Sequence, residues 1–154
     1  MLIKFILSGV IIAFCVFLGY FAAWKYRARK KYFSQFQTFN ERYLNELAYA
    51  RRPLPVFLKE YAYSDDFDKT INCLLGGKKE VKLNYLSKDE RNYLNDYFEM
   101  LGKGDSASQN AFFSAQKKYL EEKKGGSEAE AKSRGELYLK LGLLAGLGFV
   151  ILIV

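Results

Sequence analysis

The chain has 154 residues, of which 50% are hydrophobic and 27% are charged, with a formal net charge of +7 and no histidine. The lack of histidine excludes Ser-His and Cys-His nucleophile activation and removes the commonest zinc ligand. Residues 41–136 contain 17 basic and 17 acidic residues, and this balance does not indicate the basic patch that nucleic-acid binding needs. We therefore expect no catalytic residue, cofactor, metal or nucleic-acid partner.

The first predicted element is a transmembrane helix over residues 5–24, an uncharged apolar segment of 20 residues. At about 1.5 Å per residue, this helix reaches about 30 Å, which matches the hydrocarbon core of a bilayer. A cleaved signal peptide is the alternative, but its apolar stretch would be only about 7 to 15 residues long.

A cluster of cations follows this segment at once. Because cationic flanks stay on the cytoplasmic side, the cluster predicts an amino terminus outside the cell and a cytoplasmic region after Trp24. We expect five of these side chains to contact anionic lipid headgroups: Lys25, Arg27, Arg29, Lys30 and Lys31.

Residues 25–136 are predicted to form one cytoplasmic helical bundle. Within it, Ser87 and Glu90 fit a capping box, as do Ser127 and Glu130, and each capping box marks the start of a helix. Gly102 is predicted to end the first of these helices. The two cysteines, Cys15 and Cys73, cannot form a useful disulfide between an apolar helix and the bundle, which indicates a reducing compartment.

A second helix of this bundle is predicted to start at a cap on Asp105 and to pack antiparallel to the helix from Ser87. Its predicted inner face consists of Ser108, Ala111, Phe112, Ala115 and Tyr119. Earlier in the chain, one helix ends near Arg51 before Pro53-Leu54-Pro55, and another begins near Ser64 and stops at Gly76-Gly77. The clearest predicted hinge is Gly125-Gly126, followed by a last helix from Ser127.

The chain ends in a second apolar segment, which predicts a transmembrane helix over residues 137–154. Residues 137–154 span about 27 Å as a helix, and the basic residues lie before the uncharged part, so the carboxyl terminus is expected outside as well. The alternative is an apolar tail packed in the soluble core. Small residues four apart allow close helix packing in membranes; the candidates are Gly9, Ala13, Gly142 and Gly146.

The order of several patches along the chain resembles the stage III sporulation protein AB family. The patches are Glu46 and Pro53-Leu54-Pro55 after the first long helix, then Leu101-Gly102 with Asp105 and Gln109, and finally Tyr138 and Leu141-Gly142 with Gly146 at the apolar end. None of these motifs is rare alone, and their order relative to the two apolar ends carries the resemblance.

The elements above predict an all-α bundle with an N-terminal and a C-terminal transmembrane helix. The resemblance implies that this bundle belongs to the mother-cell membrane, as a non-enzymatic platform subunit of the channel between mother cell and forespore. Its implied partners are a cytoplasmic secretion-type ATPase and other channel subunits, and a homo-oligomer is compatible with this role. The soluble part of that family is similar to the cytoplasmic domain of the type II secretion platform protein. A membrane-anchored regulatory or lipid-binding module without an ATPase is the alternative function.

Overall fold

The computed structural model of the chain describes residues 2–77 and 83–153, and these residues form helices and connecting turns without a strand. The elements in chain order are α1 (Leu2–Asn45), a π-helix (Glu46–Ala50), α2 (Leu54–Glu60), α3 (Asp65–Leu75), α4 (Lys88–Met100) and α5 (Ser106–Ile153). The prediction of an all-α fold is confirmed.

The chain divides into two compact units, both built partly from α1 and α5. The first, here called the paired-helix unit, consists of Met1–Lys30 and Gly126–Val154. The second, here called the bundle unit, consists of Lys31–Gly125.

In the paired-helix unit, α1 and α5 run antiparallel and their backbones approach closely at glycines. A Cβ atom built on Gly142 would lie 2.7 Å from the carbonyl oxygen of Cys15, and one on Gly19 would lie 2.6 Å from the carbonyl oxygen of Tyr138. A Cβ on Gly146 would lie 3.1 Å from the Cα of Ile12. The positions of Gly19 and Gly142 leave no room for a Cβ, and the contact at Gly146 is tight, as at the close-packed interfaces of membrane helices.

Two of the four predicted packing residues, Gly142 and Gly146, lie in this contact. By contrast, nothing lies within 4 Å of a Cβ built on Gly9, and Ala13 is exposed. Successive helical residues are turned by about 100°, so Ala13 lies on a different face from Ile12. Gly19 takes part in the contact instead.

The outward surfaces of α1 and α5 in this unit are apolar and exposed. Both helices are long and apolar enough to cross a membrane, and only 11% of the most apolar window of each is buried. Large side chains point outward along both helices, among them Phe14, Phe17, Phe21, Leu144 and Ile151. This pattern differs from a core helix of a soluble protein, which buries its apolar face.

The bundle unit has an aromatic core to which α1, α2, α3, α4 and α5 all contribute. Its fully buried side chains include Phe36, Phe39, Phe57, Phe67, Leu94, Tyr97, Phe113 and Leu120. Rings pack edge to face, with centroids 4.6 Å apart for Phe36 and Tyr97 and 4.9 Å apart for Tyr97 and Phe113, as favoured by the ring quadrupole. The second part of α1 therefore turns the side that carries Phe36 and Phe39 toward the core.

A buried polar chain crosses this core. The hydroxyl of Tyr97 donates to Oδ1 of Asn40 over 2.8 Å, and Nδ2 of Asn40 donates to the carbonyl oxygen of Phe113 over 3.2 Å. These bonds satisfy groups that would be costly to bury unpaired. They tie α1, α4 and α5 together.

Helix α4 starts at the predicted capping box. The amide of Glu90 donates to Oγ of Ser87, and the amide of Ser87 donates to Oε2 of Glu90. As predicted, α4 and the first part of α5 are antiparallel, since Tyr93 packs on Tyr119 with ring centroids 4.1 Å apart while Tyr97 packs on Phe113.

The predicted inner face of this part of α5 is wrong in register. Ser108, Ala111 and Ala115 are exposed, and Phe112 and Tyr119 are only partly buried. The buried residues are Gln109, Phe113 and Leu120. Small residues fit close helix contacts, but burying Phe113 and Leu120 removes more apolar surface from water.

The predicted hinge at Gly125-Gly126 and the separate helix from Ser127 are also wrong, because α5 is continuous from Ser106 to Ile153. Each glycine costs about 1 kcal/mol relative to alanine in a helix interior. Strong helix formers on both sides of the pair, including Leu120, Glu121 and Ala129, keep the helix intact.

We predict that Gly142→Ala destabilises the paired-helix unit by about 1 to 3 kcal/mol, because the added methyl group meets the backbone of Cys15 and overpacks the crossing. Gly148→Ala is the matched control, since nothing lies within 4 Å of a Cβ built there. Unfolding by sodium dodecyl sulfate from mild detergent micelles, followed by circular dichroism, measures both. Equal stability of the two variants would contradict the close approach.

Candidate functional site at the Glu46 corner

A pocket of about 220 Å³ lies in the bundle unit where the π-helix, the start of α2 and the start of α5 meet. We call it the corner pocket. It is lined by Tyr43, Glu46, Leu47, Arg51, Arg52, Leu54, Gly102, Ser106 and Gln109. The lining combines an apolar wall with two guanidinium groups and one carboxylate.

The π-helix creates one side of the pocket. The amide of Arg51 donates to the carbonyl oxygen of Glu46 over 2.8 Å, and Arg51 has φ 50° and ψ 36°. It is the one non-glycine residue with positive φ among the described residues. Such conformations cost about 1 to 3 kcal/mol and concentrate at functional sites, as π-helices do.

Glu46 and Arg52 form the polar floor of the pocket. The amide and Nε of Arg52 donate to Oε1 of Glu46 over 2.8 and 2.9 Å, and a second guanidinium nitrogen binds Oε2. The same guanidinium pairs with Glu60 over 2.6 Å. Only 5% of Glu46 is exposed, so its charge is balanced by a fork-shaped partner suited to carboxylates.

The hydrogen bonds from Arg52 hold the pKa of Glu46 below its ordinary value and outweigh the opposing effect of burial. The same bonds, first to Glu46 and then to Glu60, raise the pKa of the Arg52 guanidinium. Both groups are therefore ionised at neutral pH. This makes Glu46 a fixed acceptor of hydrogen bonds.

Tyr43, Gly102 and Gln109 close the inner side of the pocket. The buried hydroxyl of Tyr43 donates to Oε1 of Gln109 and accepts a 3.3 Å hydrogen bond from the amide of Gly102. Gly102 has φ +72°, and a Cβ there would lie 3.2 Å from a methyl group of Leu54. A turn with left-handed backbone and a close neighbour thus requires glycine at this position.

The structure brings four of the family-matched residues to this pocket: Glu46, Leu54, Gly102 and Gln109. Asp105 caps α5, since the amide of Ser108 donates to its Oδ1 over 2.9 Å, and the hydrogen bonds of Ser108 lower the pKa of Asp105. Leu101 is in the core.

The exposed residues Pro53 and Pro55 shape the start of α2 beside the pocket. The carbonyl oxygen of Pro53 accepts from the amides of Val56 and Phe57. Proline suits the first turn of a helix because amides there have no partner within the helix.

Sequence reasoning missed Arg51 and Arg52 as members of this site. A basic pair directly before a proline is a weak signal of a binding site. Position 51 also lacks the asparagine or glycine that would predict a left-handed backbone. The pairing of Arg52 with a carboxylate six residues earlier has no helical spacing that would predict it.

The predicted headgroup cations divide into two kinds. Lys25, Arg27, Lys30 and Lys31 are exposed, whereas Arg29 binds Glu130 over 2.7 Å with 17% of its side chain exposed. Arg29 therefore has an internal partner within the paired-helix unit.

The remaining family-matched residues also belong to that unit. Tyr138 stacks on Tyr26 with ring centroids 5.9 Å apart and supplies the carbonyl oxygen that faces Gly19. Leu141 is half exposed on the outer face, next to the contact residue Gly142.

Across residues 2–77 and 83–153, no group of three or more acidic, cysteine or histidine side chains is placed to hold a metal ion.

A family model described as Stage III sporulation protein AB matches residues 76–154, which is about half of the chain. This span contains the matched positions from Leu101 to Gly146, whereas Glu46 and the Pro53-Leu54-Pro55 segment precede it. Comparisons with curated proteins and with solved structures found no match.

We predict that Glu46 contributes to stability above its ordinary pKa of 4.5 and that this contribution is lost as the pH falls through its lowered folded-state pKa. The sign follows because the unfolded chain takes up the proton first as the pH falls. Chemical denaturation at a series of pH values from 7 to about 3 measures the slope, and Glu46→Gln should flatten it. A slope in Glu46→Gln as steep as in the unmodified chain would contradict the assignment.

Proposed function

Because the chain belongs to the stage III sporulation protein AB family and so has a role in sporulation, we propose that it is a non-enzymatic platform subunit of the channel joining mother cell and forespore. In this proposal the paired-helix unit lies in the mother-cell membrane, the bundle unit lies in the cytoplasm, and both termini lie outside. A cytoplasmic secretion-type ATPase docks on the bundle and acts through mechanical contact.

The observation that carries the proposal is the exposed apolar surface of the paired-helix unit. Two antiparallel helices present large apolar side chains outward and contact each other through glycines. Water would disfavour such a surface, whereas lipid covers it without cost. The arrangement supports a hairpin anchored in a bilayer.

The electrostatics of the corner pocket support a binding role over a catalytic one. A carboxylate that moves protons near neutral pH needs a pKa raised toward 7. The pKa of Glu46 is moved the other way by Arg52, so the group stays charged and positions its neighbours. A pocket with fixed charges and an apolar wall is suited to contact with another protein.

We predict that the full chain, reconstituted in nanodiscs, binds the purified secretion-type ATPase from the same cells. Binding should be saturable in both zwitterionic and anionic nanodiscs, because protein contacts provide the recognition. Biolayer interferometry measures it, with empty nanodiscs as the control.

The alternative function, a lipid-binding regulatory module, gives a different result in this experiment. It predicts no ATPase binding in either nanodisc, together with enrichment of anionic lipid in the lipids that copurify with the chain. Absence of ATPase binding would overturn the platform proposal, and the lipid enrichment would favour the alternative.

The orientation predicts a labelling pattern in intact cells. In a Cys15→Ala background, single cysteines introduced at Leu2 and after Val154 should react with a membrane-impermeant maleimide. Native Cys73 is exposed in the bundle unit, so it serves as an internal control that reacts only after permeabilisation. Labelling of either end only after permeabilisation, or of Cys73 in intact cells, would contradict the orientation.

A further inference from the structure

Arg51 combines a rare backbone conformation with an exposed charge at the rim of the corner pocket. Its φ of 50° lies in the region that favours glycine, and the side chain both lines the pocket and reaches solvent. Glycine would adopt this backbone without strain. A strained arginine at such a position points to a use for the guanidinium group itself.

The charges around the pocket leave this guanidinium available. Arg52 is occupied by Glu46 and Glu60. No carboxylate among the described residues forms an ion pair with Arg51, in contrast to its neighbour. Within the described part of the chain, Arg51 therefore presents an unpaired guanidinium to solvent, beside an Arg52–Glu46–Glu60 cluster whose formal net charge is −1.

Apolar surface lies beside this charge. Leu47 and Leu54 line the pocket, and Tyr49 in the π-helix is 85% exposed. Exposed tyrosine and arginine are the residue types that most often dominate binding energy at protein interfaces. The volume of about 220 Å³ is below the usual range for drug-sized ligands, about 300 to 1,000 Å³, and suits one or two side chains of a partner.

We infer that the corner pocket docks a segment of a partner protein that presents an aspartate or glutamate carboxylate beside an apolar side chain. The carboxylate binds the Arg51 guanidinium, and the apolar side chain packs against Leu47 and Leu54. This inference rests on the proposed platform function, since it needs a cytoplasmic protein partner. It adds the surface and the chemistry by which that partner is recognised.

A protein carboxylate fits this pocket better than a phosphate of a lipid headgroup. A carboxylate brings a single charge and matches the planar fork of one guanidinium. A phosphate with up to two charges would approach the ionised Glu46, which lines the same pocket, without a second free cation to offset the repulsion. Lipid capture is therefore an outcome that the experiment below must exclude.

The test measures ATPase binding to the full chain in nanodiscs for three variants. Arg51→Glu should weaken binding by about tenfold or more, in line with the loss of a close interfacial charge pair. Arg51→Gly removes the charge and relieves the backbone, so it should keep or raise the thermal stability while weakening binding. Tyr49→Ala should weaken binding without changing the charge.

Lys117→Glu is the matched control. It makes the same charge change at another exposed position, on the rim of a separate cavity of about 270 Å³. Its binding should stay within about twofold of the unmodified chain. If Arg51→Glu binds the ATPase as tightly as the unmodified chain, or if Lys117→Glu weakens binding equally, the docking surface is refuted while the platform function stands.

If the unmodified chain does not bind the ATPase, the platform proposal fails and a second measurement decides the docking surface. Benzoylphenylalanine is placed at Tyr49, and at Lys117 as the control, in the full chain within membranes of sporulating cells. A crosslinked channel-subunit peptide that contains an acidic residue beside an apolar one, formed only from position 49 and lost in Arg51→Glu, supports the surface. No protein product, a lipid product, or a product that persists in Arg51→Glu overturns it.

Discussion

The paired-helix unit depends on one constraint, which is that the outward faces of α1 and α5 need an apolar solvent. Their backbone polar groups are satisfied within each helix, as any membrane-spanning segment requires. Lipid gives no hydrophobic drive for one helix to join another, so close packing must hold the pair together. Gly19, Gly142 and Gly146 provide that packing because their lack of a side chain lets the two backbones meet. The apolar outer surface and the glycine crossings therefore serve the same environment: the surface contacts lipid, and the crossings hold the two helices together within it.

The bundle unit combines a small aromatic core with a polar corner of defined geometry. The core from Phe36 to Leu120 fixes α1, α4 and α5, while Tyr43 and Gln109 carry hydrogen bonds from that core to the pocket. Arg52 neutralises Glu46, and Arg51 keeps its charge for solvent or a partner. Arg52 thus stabilises the corner, and the role that we propose for the adjacent Arg51 is to bind the partner.

Local signals predicted much of the fold because each has a direct physical cause. The Ser87 capping box starts α4, Gly102 follows α4 with a left-handed backbone, and Asp105 caps α5. The failures arose where neighbouring structure overrides a local preference: α5 continues through Gly125-Gly126, and Phe113 rather than Phe112 faces the core. The contact at Gly19 and the left-handed backbone of Arg51 depend on tertiary geometry, so residue spacing in the sequence could not predict them. The family resemblance identified four residues of the corner pocket in advance, whereas only the structure identified the two arginines as part of it.

The most direct test of the account is extraction of membranes from cells that express the full chain. Alkaline carbonate releases peripheral and soluble proteins but leaves proteins whose helices are embedded in lipid. The account predicts that the chain stays in the pellet after carbonate washing and enters solution only with detergent. Recovery of the chain in the carbonate supernatant would contradict lipid as the solvent of the paired helices.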